Sequence, residues 1–502
     1  MDIETQLKNF LKHALTYASG DLLRKVVGFL MIPIYTRYLM TTGYGVLEIM
    51  DSTVTVIALF WGLRISSAVV RFYYEYDEEK EKQEVISTAL IAIFITAIFL
   101  VIISQCISDK VSYLIFDTPY YEKYFKIAFV TLALSLICGV PESSLIAGKR
   151  SMFYTCINVF VFVSYLSLNI FFVVFAKKGI LGILYSSLIT KSAYTIFLCF
   201  WFLVNHKVSF SFNKLKNMIK YGLPLLPASI GMFILNYSDR FILQKLTTSA
   251  EVGIYALGYK LAFMLAFLVI EPVKRILDPQ MFDISRESNG RDTMSKMFTY
   301  LVLILVFCGL GLASFAKPAI NIMATPAFYP AVKAIPFILL GYILMGASTF
   351  FQSALMITKR THYIGLSVIL AAITNPIFNL LLIPKYGAMG AAYSTAISFL
   401  SMLVIVYYFS QKSYHIDCEW SRILKIVTCG LFLFFLDQII AAEKTFVSII
   451  YKLFLLGSFP ILLYFLNFFT GEEMHSIRVT ASRWRRRFRI LGDRSENILK
   501  EL

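Results

Sequence analysis

The chain has 502 residues, of which 58% are hydrophobic and only 16% charged; soluble domains carry roughly 25% charged residues, so an ordinary globular protein is excluded. Apolar runs of about 20 residues recur from end to end, the signature of an all-α polytopic membrane protein. The formal charge of +16 does not point to nucleic acid, because its placement follows membrane topology.

The opening MDIETQLKNFLKHAL has no cleavable signal pattern, since its charges precede an apolar stretch too long for an h-region. About fourteen spans of roughly 20 residues or more are predicted: near 13–39, 44–71, 84–107, 122–147, 152–176, 180–204, 217–246, 251–276, 294–317, 331–356, 361–383, 387–410, 422–442 and 446–469. With the N-terminus in the cytoplasm, the inward connections carry Lys80, Lys82, Lys149, Arg150, Lys207, Lys214, Lys274, Arg275, Lys359, Arg360 and Lys412, among others. The outward connections carry noticeably fewer, such as Arg37, Lys110, Lys245 and Lys333. The bias places both termini in the cytoplasm. Beyond the last span, SRWRRRFRILGD sets Trp484, Phe488 and Leu491 on one stripe among arginines. That pattern suits either a helix on an anionic leaflet or a topology-setting tail.

Span 1 carries Asp21, Arg24 and Lys25 on one helix face. Such groups cost about 2.5–3.5 kcal/mol each at bilayer depth even on the lenient insertion scale, so they must face protein or water. Span 2 adds Glu48 and Asp51 near its outer end and Arg64 further in. Span 7, YGLPLLPASIGMFILNYSDRFILQKL, holds Asn236, Asp239 and Arg240, and its Pro224 and Pro227 are incompatible with an unbroken helix. Span 8 adds Lys260 and Glu271. The pairs Asp21–Arg24 and Asp239–Arg240 either pin helix to helix or line a hydrated cavity. Lys191 in span 6 and Asp437 in span 13 stand isolated and suit structural or snorkelling roles.

An internal repeat organises the chain. SLIAGKR (144–150) matches ALMITKR (354–360), GILGILYSS (179–187) matches GAMGAAYST (387–395), and YLMTTGYGV (38–46) resembles KLTTSAEVGI (245–254), all offset by about 208 positions. Six spans separate the copies, so the two halves have the same orientation, with the substrate site expected between them. The expected organisation is a six-helix lobe over 1–206, a second over 207–412, appended helices 13 and 14 over 413–470, and a basic cytoplasmic tail over 471–502. The glycines of the repeated GxxGxxYS serve close helix packing.

There is no GxxxxGK[ST], no nucleophile elbow and no metal-spaced His or Cys cluster. The seven cysteines (Cys106, Cys138, Cys156, Cys199, Cys308, Cys418 and Cys429) form no CxxC pair, so neither a metal site nor a disulfide framework is expected. With no loop long enough for a catalytic domain, the chain is expected to be no enzyme but a transporter, driven by a gradient or by substrate supply.

The stretches YASGDLLRKVVGFLMIPIYTRYLMTTGYGVLEI, IKYGLPLLPASIGMFILNYSDRFIL and ITKRTHYIGLSVILAAITNPIFNLLLIPKYGAMGAAYSTAIS resemble the first hairpin, the second-half opening and spans 11–12 of polysaccharide biosynthesis flippases. These are the Wzx-type transporters of the multidrug/oligosaccharidyl-lipid/polysaccharide (MOP) superfamily. The resemblance implies two MATE-like lobes around a V-shaped cavity, in the cytoplasmic (inner) membrane. It implies an undecaprenyl-pyrophosphate-linked oligosaccharide carried to the outer leaflet for O-antigen, capsule or exopolysaccharide synthesis, with a polymerase and a chain-length regulator as partners. A polar groove open to lipid would hold the pyrophosphate through cations. Arg24, Lys25, Arg64, Arg240 and Lys260 are the candidates. Asp21, Glu48, Asp51 and Asp239 would balance charge or bind H⁺ or Na⁺ for coupling; no other cofactor is expected. A lipid II flippase or a cation-coupled drug antiporter of the same superfamily shares the expected fold. A non-transporting scaffold of a polysaccharide assembly complex, docked by the basic tail, is the reading from another class.

Overall fold

The computed structural model describes residues 28–440, 445–471 and 473–475. The arginine-rich segment 483–489 lies outside them. Among the described residues the regular structure is entirely helical. By length and composition, twelve of these helices could cross a membrane. Span 13 corresponds to a further helix, Trp420–Ile439, which carries Arg422, Lys425 and Asp437, and most of span 1 precedes the described residues. The expectation of about fourteen spans is consistent with this helix set.

Local chemistry explains where the helices break. Span 7 is two helices, Phe212–Gly222 and Leu226–Leu246, joined by a tight turn over Leu223–Leu225 with Pro224 at its centre. Pro227 then falls in the first turn of the second helix, where its missing N–H has no partner to lose. Span 2 breaks between Met40–Gly62 and Ile65–Tyr73, because Leu63 and Arg64 both adopt left-handed backbone, with φ of 43° and 56°. Two non-glycine residues in that region cost on the order of 1–2 kcal/mol each. The sequence carries no proline there to announce the break. Span 8 starts at a Thr248 cap, whose hydroxyl accepts the Glu251 amide at 3.3 Å. It widens into a π-helical turn over Ala266–Ile270, ahead of Pro272.

The repeat is written into the backbone. Lys149 and Lys359 both take left-handed φ (56° and 59°). Each is followed by an arginine whose amide bonds back five residues, Arg150 to Leu145 and Arg360 to Leu355. Gly179 and Gly387 begin spans 6 and 12 with nearly identical angles, φ 56°, ψ −132° and φ 54°, ψ −131°. L-residues rarely adopt that conformation, so these glycines do more than pack. Spans 2 and 8 cross at another repeated pair, Gly45 and Gly253. A Cβ on Gly45 would strike the Ser249 carbonyl, and one on Gly253 would strike the Thr41 carbonyl, the equivalent atom of the other copy. Gly253→Val is expected to force the helices apart and lower the melting temperature, by roughly 1–3 kcal/mol or more of stability. Gly365→Ala, where a Cβ meets nothing within 4 Å, should leave it unchanged.

The described residues fall into two compact units, one of residues up to 267 with 316–414, the other of 268–315 with those from 415 onward. This partition differs from the lobes expected at 1–206 and 207–412 with a separate 413–470, because span 9 packs with the appended spans. Phe307 lies 5.7 Å, centroid to centroid, from Phe459, and Thr299 donates to Glu419 at 2.7 Å. In the same unit Asp437 is not isolated, as the sequence suggested. Lys452 of span 14 meets both its carboxylate oxygens at 2.7 and 2.9 Å, and both side chains are buried. At the far end of span 13, Arg422 bonds Glu419 and Glu473 with four contacts of 2.9–3.0 Å.

Candidate functional site

The crossing of spans 2 and 8 sets the geometry. Counting along each helix from Gly45 and Gly253, Glu48 and Lys260 come to face one another in a direct ion pair. Glu48 is buried, while the Lys260 side chain stays 32% exposed. The Lys260 ammonium also donates to the Tyr44 hydroxyl at 3.1 Å and lies 4.9 Å from the centre of that ring. Asp51 stands one turn beyond Glu48. Its carboxylate makes no hydrogen bond or ion pair within the described residues, and it faces the same space as Lys260.

That space is a cavity of about 390 Å³. Its polar lining includes Asp51, Lys260, Lys191, Tyr165, Tyr35 and Asn158, and most of the remaining wall is aliphatic or aromatic. Asn169 donates to the Tyr35 hydroxyl at 2.9 Å, and Tyr35 and Tyr165 meet hydroxyl to hydroxyl at 3.5 Å. The snorkelling role expected of Lys191 is therefore not what the structure displays: it borders this cavity, with its ammonium 5.5 Å from the centre of the Tyr194 ring.

Arg64 reaches a second cavity of about 360 Å³, lined also by Ser229, Asn236 and Tyr237. The left-handed break in span 2 turns its guanidinium toward span 7, where it donates to the Ser229 hydroxyl at 3.1 and 2.5 Å.

Arg240 behaves differently. Of the two roles open to Asp239 and Arg240, the structure contains the buried pair: they are 0% and 3% exposed and 3.1 Å apart. Arg240 also donates to the Asn236 carbonyl at 2.5 Å and packs against the rings of Tyr259 and Tyr237, at 4.3 and 5.1 Å. Tyr255 donates to the second Asp239 oxygen at 2.5 Å, and Tyr259 donates to the Asn236 side chain at 3.1 Å. Arg240, grouped by the sequence with the substrate-binding cations, is here 3% exposed and paired with Asp239, with its Nε unpartnered among the described residues. Asp21, Arg24 and Lys25 lie outside the described residues.

Of the expected cations, then, Lys260 and Arg64 border open space. Lys191 joins Lys260 because span 6 shares the wall of that cavity with spans 1, 2 and 5, an arrangement the sequence does not display. Tyr44 and Tyr165 were not singled out in the sequence, because they are two among 30 tyrosines. Among the described residues no group of three or more His, Cys, Asp or Glu side chains could hold a metal ion.

A family model described as "Polysaccharide biosynthesis protein" matches residues 10–285. The chain is 21% identical to a Haloferax volcanii protein named "Probable low-salt glycan biosynthesis flippase Agl15", over 42% of this chain and 46% of that one. It spans about half the length of such curated relatives. Among solved structures it is similar to the lipid II flippase MurJ in an inward closed conformation, with a TM-score of 0.74, 14% identity, and coverage of 90% of this chain and 99% of that one. It is also similar to an inward-facing MATE-family transporter of the MOP superfamily, with a TM-score of 0.63, 15% identity, and coverage of 80% and 96%. At such identities the likeness is one of fold.

Proposed function

The chain belongs to the polysaccharide biosynthesis protein family, and from that premise we propose that it is a flippase for an undecaprenyl-pyrophosphate-linked oligosaccharide. It would move this lipid from the cytoplasmic to the outer leaflet of the inner membrane, by alternating access and without covalent chemistry, to supply O-antigen, capsule or exopolysaccharide synthesis. The observation that carries the reading is the composition of the cavity beside Lys260: Lys260 and Lys191 stand in a wall that, apart from Asp51 and a few neutral polar side chains, is largely apolar. A pyrophosphate cannot enter hydrocarbon without a compensating charge, whereas a polyprenyl tail needs none. Lysine supplies that charge as a mobile ammonium with three donors.

Glu48 holds Lys260 when the cavity is empty and is the group a pyrophosphate would displace. Asp239 balances Arg240 inside the protein. Asp51, with no ion-pair partner in the described residues, is the carboxylate assigned to H⁺ or Na⁺ coupling. Arg24 and Lys25 keep the role the sequence suggests, as further cations of span 1. With both termini cytoplasmic, the tight Gly45–Gly253 crossing would lie toward the outer leaflet. A polymerase and a chain-length regulator would act on the exported unit.

The test is reconstitution. Vesicles loaded on one leaflet with a labelled polyprenyl-pyrophosphate oligosaccharide should expose it to an external lectin when the protein is present. Label that stays in its original leaflet with and without protein would remove the flippase reading.

A further inference from the structure

The two copies of the repeat differ at one junction. In the second copy Arg360, which follows the left-handed Lys359, donates to the Ser413 hydroxyl at the end of span 12, at 3.2 Å. Its counterpart Arg150 follows the left-handed Lys149 in the same backbone frame. The end of span 6 offers it no such hydroxyl. The Arg150 guanidinium has neither ion pair nor hydrogen bond to any described residue. It lies instead over the face of Trp201, 5.5 Å away.

Two cavities meet at this pair of residues. One, of about 320 Å³, is walled by Arg150, Trp201, His206, Tyr73, Lys82 and Glu79, among others. Within it Lys82 and Glu79 neutralise one another at 3.2 Å, which leaves Arg150 the unbalanced charge. His206 presents a buried Nδ1 with no partner in the described residues. Burial, and then the neighbouring Arg150 charge, hold this histidine below its ordinary pKa, so at neutral pH it is uncharged and free to hydrogen-bond. The other cavity, of about 430 Å³, shares Arg150 and Trp201 but is lined chiefly by the apolar parts of Met152, Phe153 and Trp201. Met152 is 70% exposed there. A polar chamber with one spare guanidinium therefore adjoins a largely apolar cavity, which Lys149 also borders, and both lie where spans 4 and 5 join and span 6 ends.

We propose that this junction is a binding site for an anionic phospholipid, with the phosphate on Arg150 in the polar chamber and an acyl chain in the Met152–Phe153 cavity. Arginine matches phosphate oxygens in a bidentate geometry that lysine does not, and basic pockets between spans at a membrane surface are a known way to hold lipid headgroups. Glu79, the one acid of the chamber, does not oppose the phosphate because Lys82 already takes its charge. The site is separate from the cavity of Lys260. It would tie transport to the composition of the surrounding leaflet whatever the transported molecule is.

Binding of phosphatidylglycerol to the purified full chain, measured by native mass spectrometry from detergent, tests the assignment. Phosphatidylglycerol should bind at least about tenfold more tightly than phosphatidylcholine, and Arg150→Gln should remove that margin, as expected for a lost charge-assisted hydrogen bond. Arg360→Gln, the same change in the copy that satisfies itself, should leave the margin intact. Met152→Glu should weaken binding without touching the phosphate contact. Equal binding of the two lipids, or an Arg150→Gln protein that still discriminates, overturns the proposal. Inorganic phosphate binding as tightly as the lipid also overturns it, in favour of a soluble ligand.

Discussion

Replacing Arg240 by alanine should deplete folded protein in the membrane. The substitution strands Asp239, which is 0% exposed, without the cation that balances it. Breaking a buried pair by removing one partner destabilises by about 3–5 kcal/mol, a large part of what holds a domain together. The donors that remain, the Tyr255 hydroxyl on one carboxylate oxygen and the backbone N–H of residue 240 on the other, are neutral and supply no balancing charge. The double variant Asp239→Asn/Arg240→Gln removes both charges while keeping polar side chains at both positions, and should recover most of the loss. Melting temperatures in detergent decide the matter. An Arg240→Ala protein that melts like the parent would mean that the pair does not hold these helices. The same measurement sorts the two roles that the sequence left open, since a cavity arginine could be lost with little effect on melting.

Lys260 should answer differently. Lys260→Met leaves Glu48 buried and unpaired, so the single variant loses both stability and transport. Glu48→Gln/Lys260→Met removes that stability penalty and should melt near the parent temperature. Its transport should still be down by roughly 10–100-fold, because hydrogen bonds to charged groups contribute about 1.5–3 kcal/mol and each 1.4 kcal/mol is a factor of ten. Transport restored together with stability would show that Lys260 acts only by neutralising Glu48, and the phosphate-binding role would fall.

Much of the architecture was legible because lipid imposes simple rules. Spans must be long and apolar, and repeated motifs at one spacing mark duplicated halves. The pairs Lys149/Lys359 and Gly179/Gly387, found as sequence matches, turn out to share backbone angles as well. Pro224 and Pro227 foretold the break in span 7. The break at Leu63 and Arg64 was not legible, since neither residue favours left-handed backbone and tertiary packing must hold them there. Charges inside spans were easy to find, but their partners were not. Arg240 lies next to Asp239 in sequence, yet its burial depends on tyrosines from span 8. Asp437 looked solitary because Lys452 belongs to the next helix. Pairing across helices is a property of crossing angles, which hydropathy does not record.

The crossing of Gly45 and Gly253 also bears on descent. Each glycine receives the backbone oxygen of the residue four places before the other, so the contact maps onto itself when the halves are exchanged. Such self-matching is the mark of a two-fold dimer interface. A shorter ancestor bearing a single copy of this glycine could have met its own twin in the same way. Fusion into one polypeptide would then have freed the once identical faces to diverge, one keeping Glu48 and the other Lys260.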